Sequence, residues 1–365
     1  MRPFRCSVCS QLLFFDNSTC LRCGSELGFL PDDRELVALR PSPAGNECVE
    51  RADHSPGLYR YCSNRVVARC NWLTTADDLQ VLCMSCRLTT VRPNDSETES
   101  LAAFADAESA KRRLLDQLTT VGLPVIDKSV DDERGVAFEL LSSRGRQVIT
   151  GHSAGVITLD LSESDDVHRE FVRMQLGEPY RTVLGHLRHE IGHYYWPQLV
   201  VEPNHIGEFR SLFGDERVPY EDARSRHYAG IGHDPGADGI DPDWIGTHVS
   251  QYATMHPWED WAETFAHYLH IDAGIETAAA YGLSVREPAR SAGREAWSDP
   301  REIAIGAMVQ SWLGLTLALN GMSRSIGQGD LYPFVLSLVV VEKLDFVHRV
   351  VRAAATATGT DGRAG

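Results

Sequence analysis

The stretch "RTVLGHLRHEIGHYYW", residues 181–196, is the most informative part of this sequence, because it contains the pattern His-Glu-x-x-His. Its apolar periodicity predicts an amphipathic helix, on which residues four apart share a face. His189 and His193 can therefore bind one metal ion, and Glu190 lies where a general base beside that ion belongs. Gly192 would let a second backbone approach this helix closely. Two imidazoles are too few for tight zinc binding, so the rest of the chain must supply a third ligand.

The composition is that of an ordinary globular protein of two or three domains, with 365 residues of which 43% are apolar and 24% charged. The longest apolar runs fall short of the roughly 20 residues that span a membrane, so no membrane association is expected. The opening residues "MRPFRCSVCS" lack the apolar segment of a signal peptide. We therefore expect a cytoplasmic protein, in which the nine cysteines stay reduced and are available as metal ligands.

Negative charge is concentrated in the larger, C-terminal part of the chain. Residues 1–93 carry 11 Arg or Lys against 10 Asp or Glu, whereas the remaining residues carry 24 against 41. The two balances, +1 and −17, add to the net charge of −16. A field of this sign repels nucleic acid, so the sequence disfavours a general nucleic-acid-binding protein.

The first cysteine module, residues 1–27, has the spacing of a zinc ribbon. Its two Cys-x-x-Cys pairs are ten residues apart, and each pair would form a tight turn that presents two thiolates. Four thiolates can close one tetrahedral zinc site, and the metal would supply folding energy that so short a segment lacks. We predict that this zinc is bound by Cys6, Cys9, Cys20 and Cys23.

The second cysteine module, residues 47–93, is less regular, because only one of its pairs has the Cys-x-x-Cys spacing. Cys48 is interpreted as a small, partly buried thiol, and the competing ligand His54 lies in "DHSPG", which is typical of a surface turn. The Pro-rich, acidic residues 28–46 are interpreted as a connection between the modules. Because four thiolates leave no position for water, we expect a structural zinc here too. It would be bound by Cys62, Cys70, Cys83 and Cys86.

Five arginines cluster around the second module and could recognise a partner. A basic patch of this kind is how proteins contact the phosphates of nucleic acid. The acidic residues Asp77 and Asp78 oppose it, so we regard nucleic-acid binding as the weaker interpretation. The five are Arg60, Arg65, Arg69, Arg87 and Arg92.

Hydrophobic periodicity and turn residues predict the remaining elements. Helices are predicted over 101–122 with a glycine stop, around 181–196, over 257–270 and over most of 303–352. Strands are predicted over 136–141, 147–150 and 156–161, with a hairpin turn around 151–155. Composition indicates a linker at 92–100, a loop at 291–300 and a disordered tail at 353–365.

The third metal ligand must lie after His193. No histidine follows at the short spacing of a continued motif, and His205 comes only after a proline. The segment "HPWEDWAETFAHYLH" is more persuasive, because Glu259 and Glu263 share one face of a helix rich in aromatic residues. One carboxylate can bind the metal while the other fixes the tautomer of a ligand histidine. His186, one turn before the motif, is interpreted as a packing or supporting residue.

Several segments together resemble a bacterial family of zinc-binding metallopeptidases that carry an N-terminal zinc-ribbon region. The segments are "LRHEIGHYYW", "LFGDE", "SQYATMHPWEDWAETFAHYLH", "CNWL", "CMSCRL" and "GQGDLYPFVLS". The resemblance covers most of residues 1–352 and implies a zincin-like catalytic domain whose third ligand is a glutamate. It further implies that Glu259 binds the metal, that Glu263 supports a ligand histidine, and that the Tyr252 hydroxyl stabilises the oxyanion.

We therefore predict an α+β protein, in which zinc-ribbon modules precede a mainly helical, zincin-like metallopeptidase domain, residues 101–352, with a small β-sheet. It would bind one catalytic and two structural zinc ions and hydrolyse protein or peptide substrates with Glu190 as the base. In such folds, extended substrate pairs with an edge strand above the motif helix, and 156–161 is the best candidate. The spaced aspartates of 230–244 lack the EF-hand register and are interpreted as a solvated loop.

Two alternatives stay open at this point. The chain could be a zinc-binding adaptor with a vestigial peptidase site, although a purely structural site has no use for the intact Glu190. It could also be a peptidase that acts on nucleic-acid-bound proteins, guided by the arginines near the second module. Stimulation of cleavage by DNA would distinguish this second alternative.

Overall fold

The computed structural model describes residues 2–43, 48–144, 147–165, 169, 181–230, 244–285 and 304–361. The chain divides into two compact units. The first contains Met1–Leu118 and Val125–Asp166, and the second contains Thr119–Pro124 and Val167–Gly365. The predicted loop at 291–300, and all but the ends of the one at 230–244, lie outside the described residues.

The first unit begins with a short antiparallel pair of strands, β1 (Phe4–Arg5) and β2 (Leu12–Leu13). A five-stranded antiparallel sheet follows, in which every strand pairs with the next one along the chain. Its strands are β3 (Leu27–Leu30), β4 (Glu35–Pro41), β5 (Cys48–Arg51), β6 (Leu58–Tyr61) and β7 (Leu73–Thr75).

This sheet corrects the prediction that residues 28–46 only connect two cysteine modules. β3 and β4 occupy much of that segment, and Pro31 and the two aspartates that indicate a linker lie in the turn at 31–34. The apolar residues on either side of the turn are buried, and their burial stabilises the strands. The core of the sheet contains Leu30, Val37, Leu39, Val49, Tyr59 and Leu73. One continuous sheet therefore joins the two cysteine modules.

The rest of the first unit contains a four-stranded sheet, the helix α1 (Met84–Arg87) and most of α2 (Thr98–Val121). Gly122, with a φ of +80°, ends α2, as the predicted glycine stop requires. β10 and β11 are antiparallel, and the other neighbours are parallel. In the order β10-β11-β9-β8, the strands are β8 (Thr89–Val91), β9 (Ala137–Leu141), β10 (Gly151–Ser153) and β11 (Val156–Asp160).

Two predictions about this sheet are wrong. The hairpin forms, but its first strand is Gly151–Ser153 and not 147–150. Its turn is Ala154 and Gly155, with φ of 46° and 78°, and a two-residue turn with positive φ matches the twist of paired strands. The segment 156–161, predicted to be an edge strand for substrate, contains β11, which lies between two other strands. Over Val156–Thr158 both of its edges are already hydrogen-bonded, so these residues cannot accept a further strand.

The second unit is helical, which confirms the predicted α+β class for the whole chain. Its α-helices within the described ranges are α3 (Val183–Trp196), α4 (Ile206–Phe213), α5 (Tyr220–Gly230), α6 (Pro257–Ala280), α7 (Ile305–Ser325) and α8 (Leu338–Asp361), and a π-helical turn, Pro197–Val201, continues α3. α8 continues to Asp361, which corrects the predicted disorder of the tail from 353 to that residue, because the alanine-rich sequence there favours helix. None of the described helices is long and apolar enough to cross a membrane.

α3 and α6 approach each other closely at Gly192. A Cβ atom on Gly192 would lie 3.2 Å from the Cα of Ala262 and 3.3 Å from the Cβ of Phe265. The indole N–H of Trp261 donates a hydrogen bond to the carbonyl oxygen of Gly192 at 2.8 Å. The absence of a side chain on Gly192 thus permits the close backbone approach that the sequence predicts, and it brings polar residues of the two helices together.

Candidate metal centres

α3 positions the two histidines of the His-Glu-x-x-His motif. The helix begins after Thr182, whose hydroxyl accepts a hydrogen bond from the Gly185 N–H at 3.0 Å. His189 and His193 follow one turn apart, and the centroids of their rings are 4.8 Å apart in an edge-to-face arrangement. The two imidazoles therefore lie on the same face of the helix.

α6 positions the two glutamates. Pro257 is its first residue, and the Nδ1 atom of His256 accepts a hydrogen bond from the Trp258 N–H at 3.1 Å, which caps the helix. Glu259 and Glu263 follow in the first two turns, and Glu259 is buried with 1% of its surface exposed. A carboxylate so deeply buried requires a partner.

Three side-chain atoms from α3 and α6 converge on one point. The Nε2 atoms of His189 and His193 are 3.1 Å apart. The Oε2 atom of Glu259 lies 2.9 Å from the first nitrogen and 3.3 Å from the second. A tetrahedral zinc ion with bonds of about 2.0–2.1 Å would separate its ligand atoms by about 3.3 Å. The three donors therefore fit one zinc ion with little movement, and they are of the types that zinc prefers.

Glu263 contacts the other side of the His189 ring. Its Oε1 atom lies 2.7 Å from Nδ1 of His189, and its Oε2 atom accepts a hydrogen bond from the Ser250 hydroxyl at 2.6 Å. Burial would raise the pKa of Glu263, but the hydrogen bond and the charge of His189 lower it to about 2. An ionised Glu263 holds the proton on Nδ1, so Nε2 is the ring nitrogen that can give up its proton and bind a metal.

Glu259 has a second partner that sequence reasoning missed. The Tyr220 hydroxyl, from the first residue of α5, donates a hydrogen bond to the Oε1 atom of Glu259 at 2.8 Å. Tyr220 precedes Glu259 by 39 residues and belongs to no recognisable spacing pattern. Ser250 was missed for the same reason, because its contact with Glu263 depends on tertiary structure. Only the fold reveals these two hydroxyls.

The two residues predicted to act in catalysis lie in the same region. Glu190 directly follows His189 on α3, and burial raises the pKa of its carboxyl. Tyr252 lies on the short 3-10 turn Tyr252–Thr254, and its ring centroid is 5.8 Å from that of His189. The charges of His189 and His193 act on Glu190, and the ring of Tyr252 neighbours His189, so both residues lie near the converging donor atoms. A carboxyl with a raised pKa is suited to proton transfer near neutral pH.

The alternative histidine ligands do not join this group. Among the described residues, the groups that could bind a metal include neither His186 nor His205. The ring of His205 packs edge-to-face against Phe346, with centroids 6.4 Å apart. The geometry therefore favours Glu259 over His205 as the third donor.

The first group of cysteines brings four sulfur atoms together. The Sγ atoms of Cys6 and Cys23 are 3.7 Å apart, and those of Cys9 and Cys20 are 3.6 Å apart. Tetrahedral zinc–thiolate bonds of about 2.3 Å imply a separation of about 3.8 Å. After each Cys-x-x-Cys pair, a residue with positive φ donates its N–H to the carbonyl of the first cysteine, which closes the turn. These residues are Ser10 and Gly24.

The second group of cysteines is fully buried and equally compact. The Sγ atoms of Cys70 and Cys83 are 3.6 Å apart, and the Cys83 N–H donates a hydrogen bond to Sγ of Cys62 at 3.4 Å. Cys86 completes the group from α1. Cys48 is buried in β5 and His54 is exposed, and neither belongs to a described metal-binding group. Both groups of four thiolates therefore fit structural zinc.

The arginines around the second module already have partners. Arg60 donates a hydrogen bond to the backbone carbonyl of Asp78 at 3.4 Å. The other four form ion pairs of 2.6–3.2 Å, so little of their charge is available to phosphates. These pairs are Arg65 with Glu26, Arg69 with Asp106, Arg87 with Asp78, and Arg92 with Asp95.

Comparisons with known proteins agree with these groups of residues. Residues 100–350 match a family described as "Putative zinc-binding metallo-peptidase", and residues 3–97 match a zinc-ribbon domain. Uncharacterized proteins of Mycobacterium tuberculosis and Mycobacterium bovis are each 46% identical over 352 residues, which cover 96% of this chain and 95% of theirs. No solved structure matches. The chain therefore belongs to this zinc-binding metallo-peptidase family and carries a zinc-ribbon domain at its N-terminal side.

Proposed function

We propose that this protein is a zinc-dependent peptidase that hydrolyses peptide bonds in protein or peptide substrates. One zinc ion would be bound by His189, His193 and Glu259, and two structural zinc ions by the two groups of four cysteines. The observation that carries the proposal is the convergence of Nε2, Nε2 and Oε2 within 2.9–3.3 Å of one another, with Glu190 next to His189 on the same helix. Three protein donors are the number that catalytic zinc sites use.

The chemistry divides between the metal and the side chains around it. Zinc, when bound, polarises the scissile carbonyl and lowers the pKa of a nearby water molecule. Glu190 accepts the proton of the attacking water and then donates it to the leaving amine. Burial raises the pKa of Glu190, which brings its proton affinity closer to that needed for both transfers at neutral pH.

The surrounding residues orient the ligands and the substrate. Glu263 fixes the His189 ring through Nδ1, and the Ser250 hydroxyl in turn fixes Glu263. We assign the Tyr252 hydroxyl to the oxyanion that forms on the substrate carbonyl, because its ring lies beside His189. The cysteine groups would stabilise the fold of the zinc-ribbon region and take no part in hydrolysis.

Two observations support this proposal over its rivals. An adaptor with a vestigial site would gain nothing from Glu190, a carboxylate with only 7% of its surface exposed, because burying a charge is unfavourable without a role for it. A peptidase guided by nucleic acid would need free arginines, but those of the second module are paired with acidic residues or a carbonyl.

The test compares zinc-loaded full-length protein with its Glu190→Gln variant. Both are incubated with a mixture of denatured proteins, and new N termini are identified by mass spectrometry. Glu190→Gln deletes the base but no ligand, so it should keep its zinc and lose nearly all cleavage. Glu202→Gln, a change at an exposed position, is the matched control and should cleave like the parent. Equal cleavage by Glu190→Gln and the parent would overturn the proposal, and stimulation by DNA would favour the nucleic-acid rival.

A further inference from the structure

The two oxygens of Glu259 face different neighbours. Oε2 points to the histidines, at 2.9 Å from His189 and 3.3 Å from His193. Oε1 instead accepts the hydrogen bond from the Tyr220 hydroxyl at 2.8 Å. A carboxylate can bind zinc through one or both of its oxygens. A hydrogen bond to one oxygen favours zinc binding through the other oxygen alone.

The surroundings of Tyr220 keep its hydroxyl in this position. Its ring packs edge-to-face against His256, with centroids 5.4 Å apart, and against Trp258, with centroids 6.1 Å apart. The Nε2 atom of His256 lies 3.0 Å from the carbonyl oxygen of Val218, two residues before Tyr220. His256 also caps α6, so one residue links the start of α5 to the helix that carries Glu259.

The hydroxyl is a donor and not an acceptor in this contact. A tyrosine hydroxyl has an ordinary pKa of about 10, and an ionised carboxylate has no proton to donate. Tyr220 therefore keeps its proton at neutral pH and can only donate it to the ionised carboxylate. Hydrogen bonds to charged groups are stronger than those between neutral groups, so this contact resists rearrangement.

We propose that Tyr220 is a positioning residue that makes Glu259 present a single carboxylate oxygen to zinc. The inference rests on the proposed function, because it concerns the same metal site. If both oxygens of Glu259 bound the ion, they would occupy a position that water and substrate need. They would also donate more charge to the metal and weaken its ability to polarise a carbonyl. The hydrogen bond from the Tyr220 hydroxyl to Oε1 disfavours a zinc bond to that second oxygen.

The test uses cobalt as a spectroscopic substitute for the zinc at the histidines. In the full-length protein, mild chelation removes this ion while the thiolate sites retain their zinc, and cobalt is then added. Four-coordinate cobalt absorbs visible light several-fold more strongly than cobalt of higher coordination number. The absorbance per bound cobalt ion therefore reports how many ligand atoms surround it, and this readout does not depend on peptidase activity.

Tyr220→Phe is compared with Tyr195→Phe. Each variant loses a buried or half-buried tyrosine hydroxyl. That of Tyr195 donates to the carbonyl oxygen of Pro124 at 2.6 Å, whereas that of Tyr220 donates to the predicted ligand Glu259 at 2.8 Å and is also hydrogen-bonded to Tyr252. Phenylalanine retains the ring packing in both variants. We expect Tyr220→Phe to lower the absorbance per ion severalfold and to weaken metal affinity about 10–100-fold, whereas Tyr195→Phe matches the parent.

The outcomes separate this inference from the function on which it rests. An absorbance per ion in Tyr220→Phe equal to that of Tyr195→Phe would overturn the role of Tyr220 and leave the metal site intact. Failure of the parent protein to bind cobalt at the histidines would overturn both proposals. Cobalt that had replaced zinc in the cysteine groups would show intense thiolate absorption, so it could not be mistaken for the histidine site.

Discussion

The Nδ1 atom of His189 lies 2.7 Å from Oε1 of Glu263, while Nε2 of the same ring lies 2.9 Å from Oε2 of Glu259. One imidazole thus bridges two carboxylates that are one turn apart on α6. The two contacts are chemically different, because Nε2 also approaches His193 and Nδ1 does not. This asymmetry makes Glu259 the candidate ligand and Glu263 the residue that orients the ring.

The first prediction separates these two roles. Glu259→Ala should abolish most zinc binding at the histidines, because it removes a ligand. Glu263→Ala should reduce zinc affinity by about 10–100-fold, because it removes only the acceptor that orients His189. Zinc titration of both variants, with the cysteine groups kept saturated, measures the difference. If Glu263→Ala weakens zinc binding at the histidines more than Glu259→Ala does, the two assignments must be exchanged.

The second prediction concerns acid stability after removal of the histidine-site metal. The pKa of Glu263 is lowered from 4.5 to about 2 in the folded protein. A carboxyl group whose pKa is lower in the folded protein than in the unfolded chain stabilises the folded state at any pH above its ordinary pKa. This stabilisation is lost as the pH falls towards the pKa of the folded protein. The free energy of unfolding should therefore fall less steeply in Glu263→Gln than in the parent between pH 4.5 and about 2. Parallel slopes in urea titrations would refute the ion pair with His189.

The third prediction concerns the contact between α3 and α6. Gly192→Leu should lower the free energy of unfolding by about 1–3 kcal/mol and weaken zinc binding, because the new side chain forces the helices apart. Gly321→Leu in α7 is the control, since nothing lies within 4 Å of a Cβ there. Gly321→Leu should raise the free energy of unfolding by roughly 0.5–1 kcal/mol, because leucine has a higher helix propensity than glycine. Urea unfolding measures both, and a neutral Gly192→Leu would show that the helices are not tightly packed there.

Local patterns in the sequence predict the parts of the fold that local interactions determine. The helical repeat around His189 and the acidic, aromatic helix around Glu259 both form, and so do the paired cysteine turns. The structure brings these side chains to zinc-compatible distances, although their role as ligands stays a prediction. Spacing is informative here because two residues one helical turn apart, or the two cysteines of a Cys-x-x-Cys turn, are neighbours in any fold.

Other features depend on contacts that no local pattern encodes. The hydrogen bonds of Tyr220 and Ser250 cross from loops or other helices to α6, so only the tertiary structure identifies them. The order of strands, which places β11 inside its sheet, is likewise non-local. Composition mispredicts the segment 28–46 for another reason, because the Pro31, Asp32 and Asp33 of one tight turn outweigh the apolar residues of the short strands on both sides of it.

The most direct test of the proposed metal centre is a crystal structure with anomalous scattering recorded at the zinc absorption edge. We expect three zinc ions per chain, two of them within the groups of four cysteines. The third should lie about 2.0–2.2 Å from Nε2 of His189, Nε2 of His193 and one oxygen of Glu259. The absence of a zinc peak at the histidines in zinc-loaded crystals, or a zinc ion bound by Glu263 in place of Glu259, would contradict this account.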